Sequence, residues 1–203
     1  MIKGILFDMD GVLIDAREWH YEALNKALEP FGFNISRKLH LTKLNGLPTK
    51  IKLKYLTDNH SLPISIHNLI FDLKQDWTSR LANYYCRPVV EHIWLMNKLK
   101  EENIKIGVVT NSIRSTTNEM LKLAKLYDYF DVIVTNEDVT NSKPSPDPYI
   151  FALKKLKLLS SEVVVVEDSE HGIASAEAAN CKVLVIESPK ELKFSLVGGM
   201  IEK

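Results

Sequence analysis

The sequence predicts an α/β protein with a doubly wound, mainly parallel, Rossmann-like sheet and an inserted all-helical cap domain. Three observations support this fold class. Short, near-continuous apolar runs rich in β-branched residues recur along the chain, amphipathic helical patterns separate them, and one long stretch contains helical patterns alone. Such runs are typical of parallel strands that are covered on both faces. Their alternation with helices favours right-handed crossovers.

The elements follow from these patterns in order. The apolar runs predict strands over Ile2–Phe7, Ile104–Val109, Asp131–Thr135, Val163–Val166 and Val183–Ile186. Apolar residues at three- and four-residue spacing predict the helices between the strands. These helices are expected over Val89–Glu102, Thr116–Leu126, Pro146–Leu158 and Ile173–Ala179.

The segment 15–86 contains no convincing strand. Its apolar spacing predicts helices over Glu18–Phe31, Pro48–Leu56 and Ile66–Cys86, and Pro30 and Gly32 would end the first of them. We therefore expect an α/β catalytic core of residues 1–14 and 87–203, with residues 15–86 forming a helical cap.

The composition limits the classes of partner. The chain has 203 residues, and its 26 basic side chains balance its 26 acidic ones. A nucleic-acid or anionic-membrane binder usually carries a basic excess. The N-terminal apolar run is too short for a signal peptide, and no stretch is apolar enough for a membrane span. We expect a cytoplasmic protein without nucleic-acid or membrane partners, with a monomer favoured.

Acidic residues follow two of the predicted strands. Asp8, Asp10 and Gly11 come after the first strand, and Glu167 and Asp168 come after the fourth. In open α/β sheets, ligands bind outside the carboxyl ends of the strands. If these two strands are neighbours, their carboxylates converge as oxygen ligands of the kind that suit Mg²⁺. A polar strand-to-loop junction and a capped helix are the alternative interpretations of the two motifs.

Two further segments suit an anion. Thr110 and Asn111 follow the second strand, where a hydroxyl and free backbone N–H groups can bind phosphate. Lys143 lies in the proline-rich turn SKPSPDPY, which can hold a positive charge in a fixed place. Taken singly, a helix cap and a solvated surface lysine are alternatives. Together, four motifs in order on one side of the sheet indicate a phosphate site.

The four motifs read FDMDGVLID, VVTNS, SKPSPDPY and VVEDSEHGIASAEAA. Together they resemble the haloacid dehalogenase superfamily, and specifically its helical-cap subgroup of β-phosphoglucomutase-like proteins and sugar-phosphate phosphatases. The resemblance extends from Ile2 to about Ile186, with the insertion where that subgroup carries its cap. It implies a phosphoric monoester hydrolase, dependent on Mg²⁺, that acts on a small phosphorylated metabolite, expected to be a sugar phosphate.

The resemblance also implies roles for individual residues. Asp8 would be the nucleophile that forms an aspartyl-phosphate, and Asp10 would be the general acid and base. The phosphoryl group would be bound by Thr110, Asn111 and Lys143. Mg²⁺ would be held by Asp8, Asp10 and Asp168, with Glu167 assisting directly or through water.

Other functions are compatible with the same motifs. A phosphosugar mutase of the β-phosphoglucomutase type forms the same intermediate. However, Ala16 and Thr49 stand where such mutases carry a hydroxyl residue and an arginine. A catalytically inactive binding or regulatory protein is a further alternative, which the intact acids and lysine argue against. The dehalogenases of the superfamily that this chain resembles lack the second acidic residue of the first motif. Because Asp10 is present here, the resemblance disfavours halide displacement. Substrate contacts are expected from His20, Lys50, Arg80 and Arg114.

Overall fold

An all-parallel sheet of five strands lies in the α/β part of the computed structural model, which describes residues 1–201. The strand order β3-β2-β1-β4-β5 places β1 at the centre, with β2 and β4 as its neighbours. The predicted α/β class and parallel sheet are therefore confirmed. The strands are β1 (Gly4–Phe7), β2 (Lys105–Val109), β3 (Val132–Val134), β4 (Val163–Glu167) and β5 (Lys182–Val185).

Helices connect the strands of this sheet, close to where the spacing predicts them. The helices of the α/β part are α5 (Val90–Glu101), α6 (Arg114–Leu123), α7 (Asp147–Leu156), α8 (Glu170–Ala178) and α9 (Phe194–Ile201). Helix α6 ends three residues before the predicted end, because Lys125 adopts a left-handed conformation with φ of 57°. Helix α9 was not predicted from the sequence.

The chain divides into two compact units. One consists of Met1–Asp15 together with the chain from Arg87 onward, and the other is Ala16–Cys86. The second unit is helical in the structure. Its helices are α1 (Arg17–Leu28), α2 (Arg37–Leu39), α3 (Thr49–His60) and α4 (His67–Tyr85), with a π-helical turn at His40–Leu44.

Each unit has its own apolar core. In the α/β unit, side chains of the sheet pack with those of α7 and α8, including Leu6, Val109, Val165, Tyr149 and Ala176. In the helical unit, α1 buries Ala23, Leu24, Ala27 and Leu28 on one face, as its apolar stripe predicts. Within residues 1–201, none of the helices combines the length and the apolar character that crossing a membrane requires.

Candidate active site

The carboxyl ends of β1 and β4 meet at the centre of the sheet. The two strands pair in register, with Phe7 opposite Val166, and the Asp8 N–H donates to the carbonyl of Val166 at 2.9 Å. Asp8 and Asp168 therefore leave adjacent strands at the same edge. Here the chain order switches from one side of the sheet to the other, which is the usual ligand site of such folds.

Gly11 allows the turn after β1 to pass close to Asp168. Its φ is +102°, a conformation that side chains with a Cβ rarely adopt. A Cβ at this position would lie 2.1 Å from Oδ2 of Asp168. The glycine is therefore required both by its backbone conformation and by the approach of the acidic side chain.

Lys143 connects the two groups of acids. Its ammonium donates to Oδ1 of Asp8 at 2.7 Å, to Oε1 of Glu167 at 2.5 Å and to the carbonyl of Val109 at 2.7 Å. The residue is 3% exposed, and these three acceptors match the three protons of its ammonium. Burial lowers the pKa of Lys143, but the carboxylates of Asp8 and Glu167 outweigh burial and raise it above 10.5. The side chain is a fixed positive charge beside Asp8.

Glu167 is fully buried at the end of β4. Its Oε1 accepts from Lys143 and, at 2.6 Å, from the hydroxyl of Tyr149. Its Oε2 accepts from the N–H of Asp168 and the hydroxyl of Ser169. Burial raises the pKa of Tyr149 well above 10, and negative charge on Glu167 and Asp8 adds to this effect. Tyr149 therefore keeps its proton and acts as a donor to Glu167.

The acidic groups suit a divalent cation. One carboxylate oxygen from each of Asp8, Glu167 and Asp168 lies within 4.8 Å of the other two. Burial raises the pKa of Asp8 well above 3.8; Lys143 opposes this rise, whereas the neighbouring carboxylates add to it. Lys143 alone therefore does not offset the negative charge of the clustered carboxylates. Hard oxygen donors that carry uncompensated negative charge are suited to Mg²⁺.

Hydroxyl groups from the loop after β2 reach the same edge. The Ser112 hydroxyl donates to Oδ2 of Asp10 at 2.8 Å, so Asp10 is tied to the loop that follows β2. The N–H of Ser112 donates to Oγ1 of Thr110 at 3.0 Å. Because Oγ1 accepts this bond, the Thr110 hydroxyl proton can point to another acceptor, such as a phosphoryl oxygen.

Asn111 makes a different contact from the one expected. Its amide group accepts from the N–H of Lys143 at 3.1 Å and donates to the carbonyl of Lys143 at 3.2 Å. The side chain thus clamps the main chain that carries the lysine. The structure therefore shows Asn111 in a supporting position, and its predicted contact with phosphate remains a prediction.

The remaining predicted substrate residues lie outside this carboxylate group. Arg114 pairs with Asp138 after β3. In the helical unit, the exposed Arg80 pairs with Asp76 at 2.9 Å, and Lys50 lies 5.7 Å from the ring centroid of Phe71. Nδ1 of His20 lies 3.4 Å from Nζ of Lys74. The contacts of these four residues with substrate remain predictions.

Sequence reasoning missed the contacts that Tyr149 and Ser112 make in the site, and it missed the burial of Lys74. Tyr149 lies in α7 on the face that packs in the core of the α/β unit, so a polar aromatic residue on an apolar face was the available signal. Ser112 belongs to the motif VVTNS that was predicted to bind an anion, but its hydrogen bond to Asp10 was not predicted. Lys74 is 6% exposed in α4, and no local pattern indicates that this lysine is buried.

A parallel sheet with clustered carboxylates and a buried lysine at its switch point defines an α/β enzyme with a site for an anionic group and a divalent ion. A model of the haloacid dehalogenase-like hydrolase family matches residues 5–186. The chain belongs to this family.

Known proteins agree with this assignment. The phosphorylated carbohydrates phosphatase of Thermotoga maritima is 29% identical over 207 residues, covering 98% of this chain and 93% of that protein. Pyrophosphatase PpaX of Bacillus thuringiensis is 29% identical over 188 residues, covering 91% and 83%. The crystal structure of β-phosphoglucomutase from Clostridium difficile superposes with a TM-score of 0.86 at 24% identity, covering 100% and 98%. The predicted superfamily and the predicted class, a phosphoric monoester hydrolase, are confirmed.

Proposed function

We propose that this phosphatase hydrolyses a small phosphorylated metabolite, a sugar phosphate, with Mg²⁺ and through an aspartyl-phosphate on Asp8. The observation that carries the proposal is the contact of Lys143 with both Asp8 and Glu167, beside oxygens of Asp168. This arrangement supplies a carboxylate nucleophile and the positive charge that a dianionic ester requires. The relative from Thermotoga maritima, named a phosphorylated carbohydrates phosphatase, supports the substrate class.

Asp8 and Asp168 would supply oxygen donors for Mg²⁺, with Glu167 assisting directly or through water. The main-chain carbonyl of Asp10 would be a further donor. Bound Mg²⁺ would neutralise charge on the phosphoryl oxygens and draw the ester toward Asp8. Thr110 would donate its hydroxyl proton to a phosphoryl oxygen. Lys143 would offset charge on both Asp8 and the phosphoryl group, since its ammonium already lies 2.7 Å from Oδ1 of Asp8.

The reaction would proceed in two displacements. In the first, a carboxylate oxygen of Asp8 forms a bond to phosphorus, the ester P–O bond breaks, and Asp10 gives its proton to the leaving oxygen. In the second, water attacks phosphorus, Asp10 takes its proton, and the bond from phosphorus to Asp8 breaks to release inorganic phosphate. The Ser112 hydroxyl bond to Oδ2 of Asp10 supports this role by fixing the orientation of that carboxyl group.

We further propose that residues 15–86 act as a cap that selects the substrate. His20, Lys50 and Arg80 would contribute from this segment, and Arg114 from the core. All four side chains are basic and suit an anionic metabolite. Replacing each with Gln should change the relative kcat/KM values within a panel of phosphorylated metabolites while leaving hydrolysis of a small aryl phosphate nearly unchanged.

Phosphate release from p-nitrophenyl phosphate and from a panel of phosphorylated metabolites tests the function. We expect Mg²⁺-dependent release that EDTA abolishes, with sugar phosphates among the best substrates. Acid quenching during turnover should give a phosphorylated peptide that contains Asp8. Interconversion of β-glucose 1-phosphate and glucose 6-phosphate without phosphate release would favour the mutase. Ligand binding without any turnover would favour the inactive binding protein.

A further inference from the structure

Tyr149 joins the carboxylate group from the core of the α/β unit. It is fully buried, and its ring packs in the same apolar cluster as Leu6, Val109 and Val165. A phenylalanine would satisfy this packing equally well. A buried hydroxyl is costly unless it is hydrogen-bonded, and this one donates to Oε1 of Glu167 at 2.6 Å.

The main chain around Lys143 is held by other residues. Asn111 clamps the peptide groups of Lys143, and the Ser175 hydroxyl donates to the carbonyl of Ser145 at 2.5 Å. These contacts fix the main-chain position of Lys143. They do not fix the position of its ammonium between Asp8 and Glu167.

The position of the Lys143 ammonium depends on Glu167. Oε1 of Glu167 accepts hydrogen bonds from both Lys143 and Tyr149, and the ammonium lies 5.0 Å from the centroid of the Tyr149 ring. A hydrogen bond from a hydroxyl stabilises the negative charge of a carboxylate oxygen and makes that oxygen less basic. Such an oxygen attracts a second donor less strongly. The Tyr149 hydroxyl therefore limits the attraction of Glu167 for the lysine and leaves more of the ammonium charge for Asp8.

We propose that Tyr149 is a positioning residue for the reaction, whose hydroxyl sets the placement of the Lys143 ammonium between Glu167 and the nucleophile Asp8. The proposal rests on the proposed function, because it assigns a kinetic consequence to this placement. Its structural part, the dependence of the ammonium on Tyr149, can be measured without turnover.

Tyr149→Phe removes the hydroxyl and keeps the ring. We expect kcat for p-nitrophenyl phosphate to fall about tenfold, the scale of one hydrogen bond to a charged group, with KM changed less than about twofold. The matched control is Tyr129→Phe, which removes a hydroxyl that donates to Oδ1 of Asn97 at the surface of the same unit. A kcat for Tyr149→Phe within about twofold of this control would overturn the proposal.

The second measurement observes the lysine directly. In protein labelled at the lysine Nζ with ¹⁵N, the buried ammonium of Lys143 should give a distinct ¹H–¹⁵N signal, assigned by its loss in Lys143→Gln. We expect the signal to shift or broaden in Tyr149→Phe and to stay unchanged in Tyr129→Phe. An unchanged signal in Tyr149→Phe would refute the positioning role, whatever the activity. Absent turnover in the wild-type protein would instead refute the proposed function.

A conservative replacement separates positioning from folding. Substituting Tyr149 with 4-aminophenylalanine keeps an N–H donor at the same end of the ring. This variant should recover most of the lost kcat and the wild-type lysine signal. If Tyr149→Phe unfolds at a much lower temperature than the wild type, this variant decides the question. Failure to recover either property in a folded protein would contradict the proposal.

Discussion

Lys143 shows how single residues determine the chemistry of this site. A buried ammonium is normally destabilised, yet three acceptors meet its three protons and two of them are carboxylates. The carboxylates keep the lysine charged, and the lysine in turn offsets only part of their charge. The same residues thus hold a fixed cation and leave a site suited to a second one.

Asp8→Asn should lower turnover by on the order of a thousandfold or more, because an amide oxygen is a poor nucleophile. The amide keeps the size of the side chain and can still accept from Lys143. Because burial and nearby acids raise the pKa of Asp8, removing its charge should not lower the thermal midpoint measured without Mg²⁺. Phosphate release and thermal unfolding measure the two effects.

The surface variant Asp128→Asn is the control for Asp8→Asn, since this side chain lies exposed in the turn before β3. It should match the wild type in both assays. Substantial turnover by Asp8→Asn would contradict the assignment of the nucleophile.

A substitution at Gly172 tests how closely α8 approaches Glu167. A Cβ at this position would lie 1.9 Å from Oε1 of Glu167, and that oxygen accepts from Lys143 and Tyr149. Gly172→Ala should therefore displace the carboxylate and lower kcat by about tenfold or more, as expected from the loss of charged hydrogen bonds.

Gly199→Ala is the matched control, because a Cβ there meets no atom within 4 Å. This change lies in α9 and should raise helix stability by up to about 1 kcal/mol without changing kcat. Equal kcat values for the two alanine variants would show that Glu167 tolerates displacement.

At the scale of elements, the alternation of strands and helices could be predicted from the sequence because each strand is an apolar run between amphipathic helices. The motifs at the ends of β1, β2 and β4 could also be predicted, since acidic and hydroxyl residues interrupt the apolar sequence there. Helix α9 and the helical segment 37–44 were missed. The second of these, RKLHLTKL, mixes charged and apolar residues without a clear helical spacing, and it includes a buried histidine whose burial depends on tertiary packing.

We expect His40 to make the helical unit sensitive to acid. Burial, followed by the positive charges of Lys52 and His20, lowers the pKa of His40 from 6.5 to about 3. Below pH 6.5 the unfolded chain binds a proton that the folded chain excludes, so the free energy of unfolding falls as the pH falls toward about 3. In His40→Phe this contribution should be absent, since the aromatic ring is kept and the titrating group is removed.

Urea unfolding at about pH 7 and about pH 4.5, followed by helical circular dichroism, measures the effect. The wild type should lose more unfolding free energy between these pH values than His40→Phe. The variant His60→Gln, altered at an exposed site, should behave as the wild type. Equal losses in all three proteins would show that His40 does not contribute to acid sensitivity.

At the scale of the whole molecule, the chain forms an α/β unit and a helical unit, each with its own core. The carboxylates, Lys143 and Tyr149 all belong to the α/β unit. The site for a divalent ion is thus assembled within one unit from segments far apart in sequence. Binding of the ion should stabilise the folded form of that unit, because the unfolded chain has no such cluster.

Mg²⁺ should raise the thermal unfolding midpoint of the wild-type protein. At a concentration of about 100 times the dissociation constant, the expected gain is about 2.7 kcal/mol. Asp168→Asn should lose most of this gain because it removes the negative charge of one of the clustered carboxylates, whereas Asp128→Asn should keep it. A gain that persists in full in Asp168→Asn would place the ion elsewhere.

The sequence by itself determined the α/β class, the approximate strands and the residues that carry the chemistry, because apolar periodicity and the acids at strand ends are local properties of the chain. Only the tertiary structure decided which of these residues meet. Strand pairing places β4 beside β1, and α7 turns Tyr149 toward Glu167, so Lys143 lies between two carboxylates that are distant in sequence. Such contacts depend on the packing of the whole sheet with its helices, which no local pattern encodes.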